Sequence, residues 1–150
     1  MNDDPTAQGR TLLADASTAT LGTIVRDNGW PFTSLVLVAT DDHGAPILLL
    51  SDLAEHSRNI AADNRVSLLI DGTAGHGDPL TGPRLTVLGT AARSDDRRHR
   101  VDYLARHPSA VQYANFGDFV FYEIAVERGH LVAGFGRIDW ILGADLTTCG

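Results

Sequence analysis

The sequence predicts a mostly β domain, a closed or partly closed antiparallel barrel of six strands with a few small helices. Short apolar runs recur with Gly, Asn, Asp and Pro between them, and the helical stretches are too few and too irregularly placed for βαβ units. At 150 residues and 43% apolar content the chain has the size of one domain, 1–150, with material for a real core.

Residues 1–9 are polar and expected to be disordered, and a short helix over residues 10–16 leads into the first strand, ATLGTIVRD (19–27). The second strand is WPFTSLVLVAT (30–40), and the Asn28-Gly29 pair between the two predicts a hairpin with a type I′ turn. DDHGA (41–45) is a second polar turn before PILLLS (46–51). A helix follows to about residue 63, with Asp52 as its expected N-cap and Glu55 three positions on completing a capping box. RVSLLID (65–71) is the fourth strand, 72–83 a Gly/Pro-rich loop, and RLTVLGTAAR (84–93) the fifth strand. Residues 96–107 have helical spacing that Pro108 ends, and a short helical piece covers 109–113. DFVFYEIAVE (118–127) is the sixth strand, apolar on both faces; HLVAGFG (130–136) returns as an edge or turn segment, and Trp140, Ile141 and Leu142 follow. Two small helices cannot cover strands that are apolar on both sides, so a homodimer interface is expected.

Several functional classes are excluded by composition. All twelve cationic residues are Arg, so neither a lysine Schiff base nor a P-loop lysine is available, and any phosphate must be held by Arg, hydroxyls, His, backbone N–H groups or a helix end. A net charge of −7 opposes generic binding to nucleic acid. No run reaches the length of a membrane span and the N-terminus lacks a signal pattern, from which a cytoplasmic location with no membrane partner is expected. The single cysteine, Cys149, excludes an intrachain disulfide, and the six histidines contain no H-x-H or H-x-x-x-H pair, so no metal site is expected. His43 reads as turn surface, His99 as part of a charged helix face and His107 as a helix end.

The strongest local signal is LLLSDLAEHSRN (48–59), where an apolar strand delivers Ser51 to the start of a helix. Unpaired N–H groups and the helix dipole favour an anion there, and His56, Ser57, Arg58 and Asn59 cluster beside it. The competing reading is a capped, solvated helix face. Ser34, a small hydroxyl inside the second strand, would let a ligand approach the backbone, and Arg84 opens the fifth strand, where its guanidinium could turn toward a phosphate or the pyrimidine edge of a flavin, or equally be a solvated strand end. His76 and His130 are the histidines most open to a ligand role, whereas no residue stands out as a catalytic acid, base or nucleophile.

Six blocks, ATLGT, GWPFTSLVLVAT, LLLSDLAEHSRNIAADNRVSLLI, GDPLTGPRLTVLG, YLARHPSAVQYANFGDFVFYEI and HLVAGFGRIDW, occur in order from Thr18 to Trp140. In them the chain resembles the FMN-binding split-barrel proteins related to pyridoxamine 5′-phosphate oxidase, and most of all their haem-utilisation (HugZ-like) branch. The resemblance implies a six-stranded split barrel acting as an FMN-binding oxidoreductase on a small molecule. It implies a homodimer with flavin at the subunit interface, Ser34 along the flavin, and Ser51, His56, Ser57 and Arg58 around its phosphate. Asn59 and Arg84 become further contacts, and Trp140 a residue flanking the ring from the partner subunit. Where the oxidase has basic residues in its second-strand motif this chain has Ser34 and Ala39, and the oxidase's C-terminal Arg-Leu signature is missing, which argues against pyridoxamine phosphate as substrate. Two alternatives follow from the same branch: a haem-binding or haem-degrading protein with His130 or His76 as axial ligand, and a flavin-binding protein without catalysis.

Overall fold

A computed structural model describes residues 4–147. Helix α1 (Pro5–Asp15) begins with proline in its first turn and with Asp4 accepting from the Thr6 N–H at 3.2 Å, two ordinary helix-start signals. Residues 5–9, expected to be disordered, are therefore helical, and Gly9 and Leu13 are buried on the barrel. Residues 1–3 and Cys149 lie outside the described residues.

Strands β1 (Thr18–Ile24) and β2 (Pro31–Leu37) form the expected hairpin, Thr18 opposite Leu37 through Ile24 opposite Pro31. The turn differs from type I′. Gly29 has φ 76° while no described non-glycine residue has positive φ; its N–H bonds Val25 O at 2.9 Å, and Val25 N–H bonds Trp30 O at 2.8 Å. Asn28 instead uses its side chain, accepting from the Trp30 N–H at 3.0 Å, so a longer loop needs left-handed backbone at glycine alone.

The chain continues through β3 (Ala39–Thr40), β4 (Pro46–Ser51), α2 (Glu55–Ala62), β5 (Arg65–Asp71), β6 (Arg84–Ser94), α3 (Arg97–Arg106), β7 (Phe119–Gly134), β8 (Arg137–Leu142) and α4 (Gly143–Leu146), with 3₁₀ turns at Pro79–Thr81 and Pro108–Gln112. Eight strands replace the expected six. The run 30–40 is interrupted at Val38, whose N–H bonds Ser17 O at 3.0 Å; residues 130–134 extend a 16-residue β7 where a separate edge or turn segment was expected, and Arg137–Leu142 add β8. The polar triplet Glu127-Arg128-Gly129 resembles a turn in sequence. In the fold Arg128 and Gly129 stay paired, opposite Leu88 and Val87, and Glu127 is the extra residue of a bulge in β7, where consecutive Leu88 and Gly89 face Arg128 and Val126.

All strand pairs are antiparallel, in the order β2-β1-β5-β6-β7-β4-β3, with β8 on β7. The sheet does not close by hydrogen bonds; its two end strands, β2 and β3, are consecutive in the chain. Strand β7 splits the barrel, pairing with β4 through Phe119–Glu123 and with β8 through Arg128–Gly134.

Leu21, Leu48, Leu68, Leu85, Ile124 and Leu131 fill the interior, each stabilising the fold by about 1.5–3 kcal/mol through removal from water. Strand β4 is buried on both faces: Leu48 and Leu50 point into the barrel, Ile47 and Leu49 into a second cluster with Tyr103, Ala110 and Ala114 under α3. The outer face is different. Leu35, Thr20, Leu69, Thr86, His130 and Trp140 stand opposite one another in a single row across six strands, and Leu35 and Trp140 are 78% and 54% exposed.

Candidate functional site

Strand β4 ends at Ser51 and α2 begins at Glu55, and the turn between them forms one side of a cleft. The expected capping box is absent: Ala54 is the N-cap residue and makes no side-chain bond, while Asp52 pairs with Arg93 at 2.8 Å. Ser51 closes the turn instead, accepting from the Leu53 N–H at 3.1 Å and donating its hydroxyl proton to Asp118 Oδ2 at 2.7 Å. An acidic neighbour thus already holds the Ser51 proton, so an anion docking here would have to compete with a carboxylate for it.

His56 is half-buried, and its Nδ1 lies 3.2 Å from Ser34 Oγ, joining α2 to β2. Burial lowers its pKa, favouring the neutral ring. Its other nitrogen, Nε2, and the hydroxyl of Ser57 are buried and have no hydrogen-bond partner among the described residues. Such atoms cost free energy until something bonds them. Arg58 is exposed on the adjacent helix face.

Asn59 is the most committed of the predicted residues. Completely buried, it accepts at Oδ1 from the backbone N–H of Arg26 at 3.3 Å and donates from Nδ2 to Thr23 at 3.2 Å. Arg26, held here, bonds Glu55 at 2.7 Å and so fixes the first turn of α2. Asn59 positions the helix that carries His56 and Arg58.

The cleft has a volume of about 280 Å³. Ser51 and His56 form its polar end; Leu35, Leu37, Leu49, Tyr103, Tyr113 and Phe119 form apolar and aromatic walls. Tyr113 and Phe119 pack ring to ring at 4.9 Å, and burial raises the Tyr103 hydroxyl pKa far above its ordinary value. These walls were not evident in the sequence because they come from four segments. The only local signal was the density of aromatic residues between Tyr113 and Tyr122.

Ser34, Ser51, His56, Ser57, Arg58 and Asn59 are brought together at this end of the barrel; Arg84, His130, Trp140 and His76 are not. Arg84 opposes Asp71 at the far end of β5 and β6, six residues from the Thr90 that faces Arg65, or roughly 20 Å along the strand. Its guanidinium donates to Leu80 O at 3.0 Å and Gly82 O at 3.2 Å, pinning the Gly/Pro loop. His76 is exposed within that loop. His130 and Trp140 pack with ring centroids 4.7 Å apart, the indole carrying Arg128 over its face at 4.0 Å. Four and five interstrand spacings along the curled sheet, roughly 19 and 24 Å of its outer face, separate His130 and Trp140 from Leu35 at the cleft. His99 and His107, expected on helix surfaces, are both buried, His107 bonding Val38 O at 2.8 Å. Among the described residues no helix is long and apolar enough to cross a membrane.

Comparison with known proteins adds a second line of observation. The family model described as CREG, beta-barrel matches residues 2–147. The chloroplastic non-canonical haem oxygenase HOZ of Arabidopsis thaliana is 36% identical over 134 residues, 87% of this chain and 40% of that protein, so the chain spans well under half of that relative's length. A haem-binding protein from Mycobacterium smegmatis superposes with a TM-score of 0.90 at 32% identity, covering 97% of this chain and 61% of that one. HutZ, the haem storage protein of Vibrio cholerae, gives a TM-score of 0.67 at 19% identity over 89% and 96% of the two chains, a likeness of fold.

Proposed function

Because the chain belongs to the CREG β-barrel family and resembles a haem oxygenase and a haem-binding protein at 36% and 32% identity, we propose that it binds haem and serves in haem storage or degradation as a homodimer. The observation that carries this reading is the cleft itself: apolar, aromatic walls suited to a planar macrocycle meet a histidine end, His56, whose buried Nε2 has no partner among the described residues. Haem binding and haem oxygenation in relatives at 32% and 36% identity support it.

The homodimer reading rests on the outer face. Leu35, Leu69, Ile138, Trp140 and Leu142 are exposed apolar residues, and all five sit on strands of the sheet that runs from β2 to β8. A two-fold pairing through that face would bring His130 and Trp140 of one copy toward the Leu35 and Ser34 edge of the other. His130 would then be placed to hold the iron through its imidazole, Trp140 and Leu35 to pack against the macrocycle, and Arg58 to pair with its carboxylates. Bound haem supplies iron-centred redox chemistry; the chain's own residues orient the ring and exclude water from its faces.

Titration of the purified protein with haemin, followed by the Soret band, tests this. Saturable binding of one haem per chain or per dimer is expected, with an altered Soret position in His130→Ala. Absence of a Soret shift in the wild-type protein overturns the proposal. Loss of the Soret band on adding a reductant in air would extend the reading to oxidative degradation.

A second reading, FMN binding, is favoured by a separate observation: the α2 N-terminus with Ser57 Oγ unpaired and Arg58 exposed beside it could hold a phosphate. Ser34 and His56 would lie along the isoalloxazine, and Arg84 or Trp140 could reach it only from a partner subunit. Such a protein could be an oxidoreductase on a small substrate or a non-catalytic flavin carrier. FMN titration by the absorbance of bound flavin, in wild type and Arg58→Ala, separates this reading from the haem one.

A further inference from the structure

On the side of the barrel under α3, three side chains from distant segments converge. Asp41 follows β3, His99 stands in the first turn of α3, and Glu123 lies on β7. His99 Nε2 is 3.5 Å from Asp41 Oδ2 and 3.4 Å from Glu123 Oε2, and the three ligand-type atoms all lie within 4.8 Å of one another. The His99 and Asp41 side chains are only 7% and 5% exposed, that of Glu123 44%.

We propose that Asp41, His99 and Glu123 form a binding site for a first-row divalent cation, zinc foremost. The spacing is one reason. Charge-assisted N–H···O bonds are shorter, about 2.7–2.9 Å, whereas ligand atoms at tetrahedral corners around a zinc ion with bonds of about 2.0–2.2 Å stand about 3.3–3.6 Å apart. The two observed histidine–carboxylate separations fall in the second range. The approach of Asp41 and Glu123 to each other can be completed by the half-exposed Glu123 side chain.

The surrounding bonds support the same assignment. Asp41 Oδ1 accepts from the N–H groups of His43 and Ala45, both at 2.9 Å, leaving Oδ2 with no hydrogen-bond donor among the described residues and aimed at His99. His99 Nδ1 lies 2.5 Å from Ser94 Oγ, which also accepts from the Asp96 N–H at 3.2 Å. With Nδ1–H donating to that oxygen, the Nε2 lone pair faces the two carboxylates, the arrangement of a metal-ligating histidine with its outer partner in place. Two carboxylates converging on one point, that of Asp41 almost fully buried and that of Glu123 half-exposed, repel less with a cation between them. One imidazole and two carboxylates suit zinc or a metal of similar hardness, with water completing the shell. Such an ion would clamp α3, which carries Tyr103 of the cleft wall, to the β3–β4 turn and to β7.

The test is calorimetric titration of the full-length protein with zinc chloride after chelator treatment, alongside thermal unfolding with and without the ion. One equivalent bound and a raised unfolding temperature are expected. Ser94→Ala, which keeps all three ligands, should weaken binding by roughly 10–100-fold. Glu123→Gln should remove most of the affinity, and because Glu123 is half-exposed its variant remains informative if His99→Ala fails to fold; far-UV circular dichroism checks each fold. No saturable zinc binding by the wild-type protein overturns the proposal. So does stoichiometric binding with unchanged affinity in both Glu123→Gln and Asp41→Asn, which would place the ion elsewhere.

Discussion

Ser34 on β2 and His56 on α2 meet through Oγ and Nδ1 at 3.2 Å, while the opposite ring nitrogen, Nε2, is buried without a partner. The contact ties an edge strand to the helix bordering the cleft and orients one of its polar groups. Burial lowers the His56 pKa from its ordinary 6.5, with a consequence for stability. Above that value both folded and unfolded chains carry a neutral ring. As pH falls below it the unfolded chain takes up the proton first, so the folded state loses stability until the folded pKa is passed. His56→Gln should therefore narrow the gap between urea midpoints measured at mildly alkaline pH and at about pH 5.5. An unchanged gap would mean that the ring is solvated in the folded protein.

Asn59 makes the buried link between α2 and β1. Asn59→Ala leaves Thr23 and the Arg26 N–H without their partner and is expected to cost about 2–3 kcal/mol in urea unfolding. Because α2 carries His56 and Arg58, ligand affinity should fall as well. A stable variant with full affinity would show that α2 is held by other contacts.

Gly143 opens α4 where that helix meets β7. A Cβ at this position would fall inside contact distance of the backbone carbonyl of Val126, which cannot rotate away. Gly143→Ala should destabilise the protein by about 1–3 kcal/mol through overpacking, measured as a lower urea midpoint with an unchanged slope.

The exposed row on the outer face gives a direct test of self-association. Leu35→Glu and Trp140→Glu each place a charge at opposite ends of the Leu35–Trp140 row without touching the interior. Light scattering coupled to size-exclusion chromatography should report a dimer for wild type and a shift toward monomer for each variant. If both variants elute with wild-type mass, the interface is elsewhere or the protein is a monomer.

Haem affinity should track these changes if the ligand lies between subunits. His130→Ala should alter the Soret position, and Leu35→Glu should weaken haem binding although four interstrand spacings, roughly 19 Å along the sheet, separate it from His130 in the same chain. Retained affinity in a monomeric Leu35→Glu variant would locate the ligand within one chain.

The local elements were legible because each rests on short-range chemistry. Apolar alternation marked β6; Asn28-Gly29 marked the hairpin of β1 and β2; and Pro108 marked the end of α3. The split-barrel class was equally legible through the ordered blocks from Thr18 to Trp140. Errors arose where a residue's partner is remote. Asp52 looked like a helix cap and instead pairs with Arg93, 41 positions away. Residues 130–136 looked like a separate edge or turn segment, whereas a bulge at Glu127 lets β7 run on as far as Gly134, paired with both β6 and β8.

The same division governs the sites. Sequence alone determined that any phosphate must be held without lysine, that Ser51 stands at a strand-to-helix junction, and that His56, Ser57 and Arg58 lie together just beyond it. Only the tertiary structure decided that Ser51 gives its proton to Asp118, that Arg84 and Trp140 are remote from that junction within one chain, and that His99 is buried between two carboxylates. The physical reason is that hydrogen bonds and electrostatic contacts depend on separation in space, to within a few ångströms. Spacing along the chain fixes that separation inside a helix or a tight turn; between β3, α3 and β7 it is fixed by how the sheet curls.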